Sequence, residues 1–191
     1  MDVLIGEIVR DRWGRMTRNL EGMDMAVAET TGDQTVRESV IPSYMQSKYI
    51  SALGLDVGRK RIGVAGCDRT GLIATGITTI RRTRFVEDMA VLGGIIQERQ
   101  VDVVVVGLPY SMDGTLGFQA RQVQKFAQGM GKFLQIPVEY MDERLTSYQA
   151  EQLIIQENRS PSRDKGLIDR KAAALILQQW LDWRNSQKKA N

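Results

Sequence analysis

The run Val101-Asp102-Val103-Val104-Val105-Val106 restricts the fold of this chain more than any other stretch. Its valines leave no polar alternation, so the strand they form is buried on both faces, as a parallel strand covered by helices would be. Helical patterns stand on either side of it. Phe85, Met89, Leu92 and Ile96 recur at helical spacing and give a helix ending near Gln100. After the break at Gly107-Leu108-Pro109 and a loop at Ser111 to Gly114, Ala120, Val123, Ala127, Met130 and Leu134 mark the inward face of a second helix.

Ahead of that run lies a hairpin. An apolar segment (Ile50, Ala52, Leu53, Leu55) reaches Asp56, turns through Gly58 and a basic tip of Arg59, Lys60 and Arg61, and returns as Ile62 to Ala65. Thr70-Gly71 is a turn, and Leu72 to Ile80 a third strand. Pro137 to Met141 is a fifth strand. Thr146, with Gln149 three residues on, is a capping box opening a helix with Ala150, Leu153 and Ile154 inward. A polar loop, Asn158 to Gly166, leads to a last helix from about Asp169 to Trp183. The order β-β-β-α-β-α-β-α-α predicts an α/β fold: an antiparallel meander continued by parallel strands in one mixed five-stranded sheet, flanked by helices.

The 191 residues suffice for one domain with an appendage. Residues 1–47 carry 5 basic and 8 acidic side chains, a balance of −3, against 21 and 15, or +6, over residues 48–191. They are expected to be a loosely ordered extension or a small accessory helix, with the domain at 48–184 and a polar tail at 185–191. A basic body suits a polyanionic partner. No apolar run approaches a membrane span and no signal peptide is evident, so the cytoplasm is the expected compartment. The chain contains a single cysteine, Cys67, and no histidine, which removes Ser-His-Asp and Cys-His machinery and most zinc sites. Catalysis must then rest on carboxylates, lysine or an oxygen-ligated metal.

Three acids stand where a structural explanation is hardest to find. Asp56 lies inside a strand, where an unpaired charge costs several kcal/mol. Glu143 closes the fifth strand at the end where α/β sheets place ligands. Asp169 shares a helix face with Ala172, Ala173, Ile176 and Trp180, and the alanines let that helix sit close to the sheet. Each has a simpler role open to it: turn hydrogen bonds for Asp56, a pair with Arg144 for Glu143, a helix N-cap for Asp169. Asp142 falls on the opposite strand face by alternation, while Asp68, Asp102 and Asp113 fit turns or solvent. Taken together, the three carboxylates converge at one sheet edge and suit a hard divalent cation, Mg²⁺ or Mn²⁺. Paired ions of that kind activate water and stabilise the leaving oxygen of a phosphodiester without histidine.

Four segments in order carry a resemblance: Gly54-Leu-Asp56-Val-Gly58-Arg-Lys60-Arg61-Ile-Gly63-Val-Ala; Val106-Gly-Leu-Pro109 with Met112-Asp-Gly114-Thr; Asp142-Glu-Arg-Leu-Thr-Ser147; and Ile168-Asp169 before Ala172-Ala173 and Ile176-Leu177. Over residues 48–184 the chain resembles the YqgF family of RNase H-like nucleases, described both as Holliday junction resolvases and as the pre-16S rRNA nuclease. The resemblance implies an RNase H-like fold, a catalytic, metal-binding trio of Asp56, Glu143 and Asp169, Mg²⁺ or Mn²⁺ as cofactor, and trimming of the 5′ side of the small-subunit rRNA precursor. Cys67, Gly76 and Ser147 stand where the family pattern has Ser, Pro and Thr, a departure that bears on local packing.

Around such a site Lys60, Arg61, Arg144, Arg159, Arg163 and Lys165 would contact phosphates and position a nucleic acid without reading sequence. Tyr110 and Tyr148 are the aromatics best placed to stack on bases, whereas Trp180 and Trp183 suit helix packing. Precursor rRNA and branched DNA are both compatible substrates. A monomer serves the first, and a homodimer with two sites the second. A non-catalytic nucleic-acid-binding protein of the same fold is a rival. Sugar kinases and chaperone ATPases share the Asp-x-Gly hairpin but need two related halves, which this chain lacks.

Overall fold

In the computed structural model the described residues are 42–110, 116–142 and 165–190, all within the compact unit spanning 41–191. A short helix α1 (Ser43–Gln46) precedes β1 (Ala52–Val57), β2 (Arg61–Cys67) and β3 (Ala74–Arg81), followed by α2 (Phe85–Arg99), β4 (Val103–Leu108), α3 (Phe118–Leu134), β5 (Val138–Asp142) and α4 (Lys165–Ala190). The sheet order is β3-β2-β1-β4-β5. The first three strands are an antiparallel meander, and β1, β4 and β5 are parallel. This is the expected mixed five-stranded sheet, an antiparallel meander continued by parallel strands. The predicted capping box at Thr146 and its helix, and the residues before Pro42, lie outside the described residues.

The valine strand behaves as its composition requires, with all six residues of β4 buried. Strand alternation divides the interior into two layers. Leu53, Leu55, Ile62, Val64, Val104 and Val106 face α2 and α3 and pack on Met89, Leu92, Val123, Ala127 and Met130. Ala52, Ala65, Cys67, Val103 and Val105 face the other way, onto Ala173, Ile176, Leu177, Trp180 and Leu181 of α4. Trp180 is buried there, while Trp183 is 44% exposed.

On that second face the sheet is thinned to bare backbone. A Cβ on Gly54 would meet the Ala173 carbonyl oxygen and the Leu177 Cβ, both at 2.6 Å, and one on Gly63 would fall 2.0 Å from the Asp169 carbonyl oxygen. Gly76 lies beneath Arg170 in the same way, with that residue's Cβ at 3.0 Å. These glycines, with Ala172 and Ala173 on the helix, let α4 lie directly on the strands. Gln178 fixes its longitudinal position, accepting from Ala74 N at 2.9 Å and donating to the Leu72 carbonyl at 2.9 Å.

Three boundaries differ from the sequence expectation. The third strand begins at Ala74 rather than Leu72, because the Asp68 carboxylate takes the N–H groups of Thr70, Leu72 and Ile73 at 3.1, 3.0 and 2.8 Å and turns the chain, with Gly71 at φ 68°. Leu72 and Ile73 are left exposed. The last helix spans Lys165–Ala190, so most of the expected polar tail is helical. Residues 43–47, grouped with the extension by composition, are tied to the body. The buried Arg184 donates to the Tyr44 carbonyl (2.8 Å) and the Ser47 carbonyl (2.6 Å), and the Tyr44 hydroxyl donates to Glu139 at 2.6 Å.

Gly63→Ala is expected to destabilise the protein by roughly 3 kcal/mol, since its methyl meets backbone that can yield only by lifting α4. Gly94→Ala, where nothing lies within 4 Å, should be neutral or stabilising by up to about 1 kcal/mol. Thermal denaturation of both variants decides, and equal melting temperatures would refute the close approach. Asp68 gives a pH test. Its hydrogen bonds hold its pKa down from 3.8 to about 2, so the folded state gains stability above the unfolded pKa and loses it as the pH falls from about 4 to 2. An Asp68→Asn variant should lack that component of the acid transition.

Candidate active site

Asp56 is partly buried near the end of β1 and pairs across the antiparallel ladder with Gly63. Directly opposed residues on such a ladder project to the same face. The missing side chain of Gly63 is replaced by the backbone of Asp169, so residue 169 of α4 lies over the strand pair that carries Asp56. Two acids more than a hundred positions apart are thus placed on one face at one end of the sheet. Among the described residues no group of three His, Cys, Asp or Glu could hold a metal; Asp56 and Asp169 are the acids assembled here.

Asp169 sits in the second turn of α4 and does not cap the helix. Its carboxylate is 17% exposed and pairs with Arg61, the first residue of β2, through Nε and, at 3.4 Å, through Nη2. The hydrogen bond with Asp169 raises the Arg61 pKa above its ordinary value, and the negative charge of Asp56 adds to the effect. Arg61 is therefore a cation paired with Asp169 and within the electrostatic reach of Asp56. From the sequence, the basic tip beside Asp56 offers a compensating cation and Arg61 a phosphate contact; its pairing with Asp169 is not foreseen. The available signal was the register: Gly63 opposite Asp56 opens room for the helix, and Arg61 on the same strand face, two residues away, necessarily faces what fills it.

The parallel strands end together. Leu55 pairs with Val106, Val106 with Tyr140, and Leu108 with Asp142, so β1, β4 and β5 deliver their C-terminal ends to one edge. Tyr140 packs against the α2/α3 layer and Met141 against the α4 layer, which assigns Asp142 to the former face. Glu143 is the next residue and lies outside the described residues, as do Arg144, Tyr148, Arg159 and Arg163. Lys60 is exposed at the hairpin tip, and Lys165, at the start of α4, is exposed one turn before Asp169. Tyr110 packs against the α2/α3 core, and the exposed Asp102 pairs with Ser51, accepting its N–H at 2.8 Å.

Carboxylate oxygens beside an open edge make an acceptor set for a hard cation, and the retained guanidinium shows that positive charge is favoured at this point. Exposed lysines flank it. Of the departures from the family pattern, Cys67 is buried in the α4 layer and Gly76 admits Arg170, while Ser147 lies outside the described residues.

Comparison with known proteins identifies relatives over the same residues. The family model described as "RuvX: Holliday junction resolvase" matches residues 50–183. A relative from Trichormus variabilis (strain ATCC 29413 / PCC 7937), named "Putative pre-16S rRNA nuclease", is 72% identical over 145 residues, covering 76% of this chain and 96% of its own. One of the same name from Synechococcus elongatus (strain ATCC 33912 / PCC 7942 / FACHB-805) is 65% identical over 134 residues, covering 70% and 90%. Among solved structures, "T. thermophilus RuvC in complex with Holliday junction substrate" superposes with a TM-score of 0.49 at 15% identity, over 72% of this chain and 97% of that one. On the extent of the family match and the identity of its relatives, the chain belongs to the RuvX family, the same YqgF family its four motifs resemble.

Proposed function

We propose that this protein is a metal-dependent phosphodiester nuclease of the cytoplasm that matures the 5′ end of precursor 16S rRNA. The observation that carries the proposal is the seating of Asp169 over the β1/β2 pair that holds Asp56, with the parallel strand ends beside it. The names of the highly identical relatives support the substrate. Asp56 and Asp169 serve as catalytic and metal-binding residues, with Glu143, next after β5, as the third. Mg²⁺ or Mn²⁺ on these oxygens supplies the charge that activates water and stabilises the departing oxygen. Arg61 and Lys60, with Lys165, Arg144, Arg159 and Arg163, neutralise the phosphates of the strand and hold it in register.

Arg61 has a second task in this scheme. It holds positive charge on the Asp169 carboxylate, and with a divalent ion held by the carboxylates its guanidinium would be available to a phosphate.

The family description favours a second substrate, the four-way DNA junction. Resolution of a junction takes two symmetric cuts and hence a homodimer, whereas one copy suffices to trim an RNA end.

A precursor 16S transcript and a synthetic four-way junction, each incubated with Mg²⁺ and with Mn²⁺, separate the two substrates. Cleavage confined to the transcript is expected. Asp56→Asn should lower the rate at least a hundredfold while leaving RNA affinity within about threefold, as loss of electrostatic stabilisation at a reacting centre commonly costs that much. Unchanged cleavage by the variant would remove the carboxylates from the mechanism. For Arg61→Gln, calorimetric titration of the RNA-free protein with Mg²⁺ should show several-fold tighter binding, because a competing cation is gone. Equal or weaker Mg²⁺ binding would contradict the exchange.

A further inference from the structure

A cavity of about 440 Å³ opens on the face of the sheet opposite the carboxylates, beginning one residue beyond Asp56. Its floor is the buried Val57, Val123 and Phe126, and its rim carries the exposed Arg59, Lys125 and Gln122. No acid lines it. Arg82 enters from the side with its guanidinium 4.6 Å from the centre of the Phe126 ring, donating to the Gly58 carbonyl at 2.9 Å and paired at 3.6 Å with the buried Asp88. Arg82 is thereby anchored, while neither Arg59 nor Lys125 has an acidic partner among the described residues. Phe85 stands edge-on to Phe126, centroids 5.9 Å apart, and is 39% exposed. The volume falls within the range of about 300 to 1,000 Å³ usual for small-molecule pockets.

Aromatic rings beneath unpaired cations fit one chemistry well: a planar base attached to a phosphate. A purely apolar guest would leave the cations idle, and a simple anion would leave the rings idle. The hairpin tip supplies a route, because Asp56 and Val57 face opposite sides of the same strand and the tip between the two sites is basic. We propose that this cavity is a second nucleic-acid subsite, which receives one unpaired nucleotide of the substrate strand, its base against Phe85 and Phe126 and its phosphate between Arg59 and Lys125. The assignment rests on the nuclease function proposed above. It adds a contact that holds the strand on both faces of the hairpin.

The test uses full-length protein carrying Asp56→Asn, so that RNA stays intact, and a labelled single-stranded oligouridine followed by fluorescence anisotropy over a range of salt. Arg59→Ala with Lys125→Ala should weaken Kd at least tenfold and reduce the salt slope by about two phosphate equivalents. Gln122→Glu, an exposed change that brings an acid to the rim, should weaken Kd several-fold. A control pair, Arg69→Ala with Lys132→Ala, removes the same charge elsewhere on the surface and should weaken Kd less than threefold. The subsite is refuted if the cavity variants bind within twofold of the parent or if the control pair matches them. Competition by 5′-UMP alone, with oligouridine binding insensitive to the cavity variants, would refute it in favour of a free nucleotide. Cleavage of the transcript by the unsubstituted protein is measured in parallel. Loss of cleavage there would defeat the nuclease proposal itself, whereas intact cleavage with unaltered binding would defeat only the subsite.

Discussion

The close approach of the last helix to the sheet is the constraint on which the site depends. At Gly54, Gly63 and Gly76 the strands present bare backbone, and α4 fills the space with its own backbone, Cβ atoms and small side chains. Glycine inside a strand is unfavourable by roughly 0.5–1 kcal/mol per position. Three such positions together cost about 1.5–3 kcal/mol. Seating the helix buries Ile176, Leu177, Trp180 and Leu181, each worth about 1.5–3 kcal/mol when taken from water, so burial outweighs the glycines. The height at which the Asp169 carboxylate stands above β1 and β2 is set by that contact. A bulkier residue at position 63 would raise it.

Closeness has an electrostatic consequence. Carboxylates about 4 Å apart at an effective dielectric near 20 repel by about 4 kcal/mol, comparable to a large part of the stability of a domain. Arg61, paired with Asp169 and drawn also by the charge of Asp56, offsets repulsion between acids brought to one face. The pair is partly exposed, with the Arg61 side chain at 33% and that of Asp169 at 17%. Fully buried, such a pair would be fixed by the penalty for separating it. Fully exposed, it would contribute little. At the rim, the pair is neither locked in place nor without effect.

Much of this was legible from one-dimensional patterns. The valine run, the helical spacing of Met89 and Leu92, and the order of strands and helices give the mixed sheet, because burial alone dictates those periods. The grouping of Asp169 with Ala172, Ala173 and Ile176 predicted the correct helix face. What was not legible depends on contacts between elements. Asp169 looked like an N-cap because the helix was taken to begin there, yet the helix starts a turn earlier, at Lys165, where Thr79 donates to the Gly166 carbonyl at 2.7 Å. Leu72 and Ile73 are apolar and were counted in a strand. Asp68, a weaker candidate among the acids, turns the chain there and is the reason they are not. Arg61 carries no mark in the sequence to distinguish it from Lys60, and its role follows only from which strand face it occupies.

That last distinction extends to the whole hairpin tip. Side chains on a strand alternate, so consecutive residues cannot serve the same face, and a site built at the end of β1 divides its neighbours between two surfaces. Asp56 goes to the α4 side with Gly54, while Val57 goes to the layer of α2 and α3, where the rings of Phe85 and Phe126 meet. A ligand confined to one face would meet either carboxylates or aromatic rings. Only an extended chain that passes over the tip meets both, and its charge must be negative to cross Arg59, Lys60 and Arg61. A polynucleotide satisfies each condition at once, because its phosphates repeat along the path and its bases project to the side.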